Sequence, residues 1–177
     1  MKYKLKLASH YQQLAFTLIE VMLVIGFIAT LVMLASPSLS SFFQRNKLTS
    51  EVNQFSSQLQ LAKSVAASQF IYVIICPTQD RASCGGRWAD EIIIFTDQND
   101  NSVVDVNDKI LASYKVGSPI EIYANRDKVR FAPINTASTS AATITLCLND
   151  NIKQALVISN VGRIRLELDK DKIDCSY

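Results

Sequence analysis

The sequence predicts an α+β protein in which one long N-terminal helix packs on an antiparallel β-rich head, and three observations predict it. An apolar run opens the chain, an apolar stripe at helical spacing follows, and eight short stretches rich in β-branched and aromatic residues fill the remainder.

The opening element comes first. Residues 1–14 are polar and basic, with Lys2, Lys4 and Lys6, and the run from Phe16 to Ser36 then holds one charge, Glu20. That run is 21 residues long, enough for a helix to span a bilayer at about 1.5 Å per residue. The lysines ahead of it predict an N-in orientation, which sends everything after Ser36 to the outside. A secretory signal would show a small-residue cleavage site after its apolar core; here the chain continues into further helical sequence. Glu20 is the exception to the apolar pattern. A carboxylate there is costly in lipid without a partner, although the positive end of the helix would favour it at the interface.

Beyond Pro37 the stripe Leu48, Val52, Phe55, Leu59, Ala62 and Ala66 recurs at alternating steps of four and three, the pattern of a helix with one face on a core. Arg45, Thr49, Asn53, Gln54 and Ser57 occupy the opposite face. One helix is therefore expected over 16–68, with the transmembrane part at 16–36.

The head, 69–177, reads as strands at Phe70–Cys76, Glu91–Thr96, Lys109–Val116, Ile120–Ala124, Val129–Ala132, Thr143–Leu148, Gln154–Ser159 and Arg163–Leu168. Asn135–Ala142 is small and polar, and is expected to be a mobile loop.

Charge and cysteines narrow the function classes. Lys plus Arg number 18 against 16 acids; without the three lysines of residues 1–15 they fall to 15, a net charge of −1. No global basic field remains, so nucleic-acid binding would need a local patch. The four cysteines, Cys76, Cys84, Cys147 and Cys175, contain no C-x-x-C pair, which argues against structural zinc. An even number behind an export-like N-terminus favours two disulfides. Three pairings exist; proximity in sequence favours Cys76–Cys84, which leaves Cys147–Cys175.

The segment Ala15-Phe16-Thr17-Leu18-Ile19-Glu20 resembles the type IV prepilin signature. That resemblance implies cleavage between Ala15 and Phe16 by a prepilin peptidase, with 1–15 as leader, and N-methylation of Phe16. It also implies that Glu20 pairs with a neighbouring subunit during assembly. Ala15 departs from the usual Gly while keeping a small side chain. Further along, Cys76-Pro77, Cys84-Gly85-Gly86 with Trp88, Ile94-Phe95-Thr96-Asp97, Val129-Arg130-Phe131, Thr145-Leu146-Cys147 and Gly162-Arg163-Ile164-Arg165 follow in an order that is similar to the FimT/GspH-type pseudopilins. The cysteines and the G-R-x-R segment place it nearer the FimT side. The family implies a pilin-like fold, an inner-membrane anchor, a periplasmic head, incorporation into a pilus, and other minor and major pilins as partners.

G-R-x-R is the sharpest lead to chemistry. On a strand, Arg163 and Arg165 share a face about 6.5–7 Å apart, a spacing that suits successive phosphates, and Arg binds phosphate bidentately. Gly162 would supply the turn. The resemblance implies binding of incoming double-stranded DNA for natural transformation, with Lys128, Arg130, Lys170 and Lys172 as possible extensions. The opposing reading is a solvated strand face balanced by Glu167, Asp169, Asp171 and Asp174, in a purely structural pseudopilin of a type IV pilus or type II secretion system. Asp97, Asn99, Asn101, Asp105 and Asp108 partly fit a calcium loop, but Ser102 stands where the turn Gly belongs, and a plain Asx-rich turn is the favoured reading. The only histidine is His10 and no nucleophile elbow is present. The sequence therefore points to a non-enzymatic protein without a cofactor.

Overall fold

The computed structural model describes residues 17–133, 139–167 and 169–175, with the backbone alone described at 34–38 and 170. Helix α1 runs Leu18–Gln69, and eight strands follow: β1 Tyr72–Thr78, β2 Glu91–Asp97, β3 Ile110–Tyr114, β4 Glu121–Ala124, β5 Val129–Phe131, β6 Ala142–Asn149, β7 Ile152–Ile158 and β8 Ile164–Glu167. Each strand expected from sequence is present, with ends moved by one or two residues. The head holds two four-stranded antiparallel sheets rather than one, ordered β3-β2-β1-β5 and β4-β6-β7-β8.

The chain divides into two compact units, 1–41 and 42–177. In the first, α1 starts from an N-cap that sequence reasoning missed: the Glu20 amide donates to the Thr17 hydroxyl at 3.3 Å and to the Thr17 carbonyl at 3.1 Å. Leu18, Ile19, Met22, Leu23, Phe27 and Met33 are exposed along this stretch. Among the described residues no helix is long and apolar enough to cross a membrane. The span expected at 16–36 includes Phe16 and the side chains of 34–36, which lie outside them.

In the second unit the whole stripe Leu48, Val52, Phe55, Leu59, Ala62 and Ala66 is buried. It meets Val73, Ile75, Ile92, Ile94, Val129 and Phe131 of the first sheet, and Ile122, Ile144, Leu146, Leu156 and Ile158 of the second. A smaller cluster of Ile74, Cys76, Ile93 and Phe95 lies on the outer face of the first sheet. Strands β1 and β2 are thus buried on both faces, which is why they read as continuous apolar runs rather than alternating ones. Both disulfides are present, Cys76–Cys84 and Cys147–Cys175. The first closes the β1–β2 connection beside Trp88, whose Nε1 donates to the Arg126 carbonyl at 2.7 Å. The second ties the C-terminal segment to β6. Of the loop expected at 135–142, residues 135–138 lie outside the described set and Ala142 already belongs to β6.

One polar clasp fastens the helix to the head. The Tyr114 hydroxyl donates to Glu51, and Lys47 donates to the Ser118 carbonyl. A Cβ at Gly117 would lie 3.0 Å from Glu51 Oε1, so a side chain there would push the carboxylate away. Burial, followed by the bond to Glu51 and its charge, pushes the Tyr114 phenol up. A phenol raised in the folded state contributes its full stability below the ordinary tyrosine pKa of about 10. That contribution is lost as pH rises through the folded-state value. Tyr114→Phe is expected to lower stability by about 1–2 kcal/mol at neutral pH, and to flatten the alkaline fall in stability. Urea midpoints of the full chain in detergent, on either side of the ordinary tyrosine pKa, check both effects. An unchanged alkaline slope would mean the clasp is not what titrates.

Candidate nucleic-acid interface

The G-R-x-R segment sits at the β7–β8 hairpin, the open edge of the second sheet. Ile158 pairs with Ile164, Val157 with Arg165 and Leu156 with Leu166. The Gly162 amide donates to the Ser159 carbonyl at 2.8 Å, and the Ser159 amide to the Arg163 carbonyl at 3.0 Å. This is a three-residue hairpin loop, Asn160–Gly162, which needs a left-handed residue in its last position; Gly162 supplies it with φ 72°. Space there is also tight, because an added Cβ would meet Thr139 Oγ1 at 3.3 Å and the threonine would have to give by a few tenths of an ångström.

The strand begins at Ile164, so Arg163 lies one residue before it rather than on it. The Arg163 amide is nevertheless held by Ser159 Oγ at 3.1 Å, which extends the ladder in effect. Ile164 packs against the main core while Arg163 and Arg165 are exposed on either side. Arg165 lies 3.8 Å from Glu167 with 60% of its side chain exposed, a separation and exposure at which an ion pair contributes little.

The proposed extensions separate from this pair. Arg130 donates to both carboxylate oxygens of Asp100 at 2.7 Å and lies 4.8 Å above the Tyr72 ring. The bond to Asp100, then its charge, raise its already high pKa against the effect of burial. Its neighbours Val129 and Phe131 point into the core, so strand alternation turns Arg130 to the outer face of the first sheet. Lys128 donates to Ser102 Oγ at 2.6 Å in the same region. Both cations are engaged by residues of the 97–108 loop. Lys172 is 3.1 Å from Asp169, whose bond raises the ammonium pKa and holds the Asp169 carboxyl low. The Lys170 side chain lies outside the described residues, as do Ala15 and Phe16.

The 97–108 loop uses its oxygens on itself. Asp97 accepts from the amides of Asn101 and Ser102 at 3.1 and 2.8 Å, and Asp108 from those of Gln98 and Asp105 at 3.0 and 3.2 Å. Asn99 and Asn101 both donate to Asp105 Oδ2. Among the described residues no group of three or more His, Cys, Asp or Glu could hold a metal ion. These contacts are those of an Asx-rich turn.

A cation that sequence reasoning passed over stands next to the hairpin. Lys63, exposed on α1, brings its Cε within 3.8 Å of where a Gly162 Cβ would be. Its only sequence signal is its place one residue after buried Ala62, which does not distinguish it from any solvated lysine.

The family model described as type II transport protein GspH matches residues 51–162, a range that stops just short of Arg163 and Arg165. Two crystal structures of the type IV minor pilin FimU from Pseudomonas aeruginosa strain PAO1 are similar in fold. The form in space group P21 is 22% identical, covers 76% of this chain and 98% of that one, and has a TM-score of 0.57. The form in P65 is 21% identical, covers 72% and 98%, and has a TM-score of 0.53. No curated protein sequence matches.

Proposed function

The chain belongs to the GspH family, and from that membership, as a minor pseudopilin or minor pilin of a type IV pilus or type II secretion system, we propose that it serves a type IV pilus and contacts double-stranded DNA during uptake. In this reading residues 1–15 are a leader removed by prepilin peptidase before Phe16, and 16–36 anchor the protein in the inner membrane. The head, 69–177, stands in the periplasm until the subunit joins other pilins. It works by binding and carries out no catalysis.

The observation that supports DNA contact is the hairpin itself. Two exposed guanidiniums flank Ile164 at the edge of the sheet, and the loop beside them is closed by three hydrogen bonds and a glycine. Phosphate contacts of this kind give affinity without sequence preference, and weaken with salt. The acids of the C-terminal segment favour the other reading, a structural pseudopilin, because Glu167 lies beside Arg165 and Asp169 holds Lys172.

Fluorescent duplex titrated with the full chain in detergent, across a salt series, decides between them. Arg163→Ala/Arg165→Ala is expected to weaken binding about tenfold and to lower the salt slope by about 2. Absence of binding by the unaltered protein at low salt would leave the structural reading.

A further inference from the structure

Helix α1 and the β7–β8 hairpin meet at a groove of ≈ 380 Å³, lined by Gln60, Lys63, Ser64, Ala67, Arg163 and Ile164. No carboxylate lines it, in contrast to the other hairpin and tail cations, Arg165 beside Glu167 and Lys172 beside Asp169. Neither the Lys63 ammonium nor the Arg163 guanidinium has an acceptor among the described residues. We propose that this groove holds one phosphate of the DNA backbone between Lys63 of the helix and Arg163 of the hairpin, so that α1 supplies the second wall of the interface. The proposal rests on the DNA-binding reading and adds to it a residue from a different element.

A Cβ built at Gly162 would stand 3.8 Å from Lys63 Cε, ordinary contact distance, so the Lys63 stem lies beside the hairpin turn, and Lys63 and Arg163 line the same groove. Two exposed cations without an acceptor at one groove raise its positive potential, which is the arrangement that favours a phosphate over a neutral ligand. The neutral lining divides by role. Ser64 Oγ donates to the Leu61 carbonyl at 2.9 Å, so its proton is occupied, and the Gln60 amide is the uncharged donor left to the ligand.

The test uses the full chain in detergent with a fluorescent duplex. Lys63→Gln, at an exposed helix position, is expected to weaken binding about three- to tenfold and to lower the salt slope by about 0.9, the value of one phosphate contact. Lys63→Arg should restore both, and Lys109→Gln, an exposed lysine on the β2–β3 connection, should change neither. If Lys63→Gln matches the unaltered protein while Arg163→Ala/Arg165→Ala loses binding, the groove is not part of the interface and the DNA reading stands without it. Equal losses from Lys63→Gln and Lys109→Gln would reduce the effect to general charge and overturn the proposal. If the unaltered protein binds no duplex at low salt, both fall together.

Discussion

Glu20→Gln is expected to leave the protein folded and membrane-bound yet to deplete it from sheared filaments on the order of a hundredfold or more. Glu20 lies in the first turn of α1 among exposed apolar neighbours, Leu18, Ile19, Val21 and Met22. The bonds that start the helix run from its backbone amide to Thr17, so the substitution leaves them intact. The lost group is a carboxylate whose counter-charge, on our reading, is a neighbouring subunit's N-terminus. Removing one member of a buried ion pair costs about 3–5 kcal/mol, because the partner charge is left unpaired in a medium that cannot solvate it. Gln keeps the shape and removes the charge, so packing is not the variable. Comparing the membrane fraction with sheared filaments by immunoblot measures the effect; equal filament content would sink the assembly role.

Phe55→Ala carries the largest expected effect on stability, a loss of about 3–5 kcal/mol. Phe55 is fully buried at the middle of the stripe, with its ring 5.5 Å from that of Tyr114. Among the described residues the two sheets share no ladder. What unites them is the helix face they both cover, and the cavity left by the ring would open at that shared surface, where neither sheet can collapse inward without leaving the other. Fluorescence of Trp88, the sole tryptophan of the sequence and buried in the head, reports unfolding in urea. A loss below about 1 kcal/mol would show that the site relaxes and that the helix is not the common support.

These two residues also mark what the sequence made legible. Phe55 was readable because a stripe at steps of four and three has one physical use, a face on a core. The eight strands were readable for the similar reason that β-branched runs between turn residues have few alternatives. The division into two sheets was not, since pairing depends on partners far apart in the chain: β5 adds beside β1, with Val129 opposite Ile75 although three other strands lie between them in sequence. At the site, Gly162, Arg163 and Arg165 were legible because a turn glycine and alternation are local. The pairing of Arg130 was not, because its partner Asp100 lies in a loop 30 residues away. Lys63 was hidden for the same reason, since only the tertiary fold brings α1 against the hairpin.

The crossing of the chain between sheets sets an order of events during synthesis. After β3 it passes to the second sheet for β4, returns for β5 and leaves again for β6. Neither sheet can therefore be completed from a contiguous piece of chain, and a partly emerged head exposes sheet edges for longer than a simple meander would. The thiols follow the same calendar. Cys76 and Cys84, separated by 8 residues, become available together and can pair before Cys147 emerges, whereas Cys147 waits for Cys175, a further 28 residues on. Early closure of the local pair removes both wrong partners of Cys147 and Cys175 from reach, so emergence from the N-terminal side itself guides oxidation toward the native pairing.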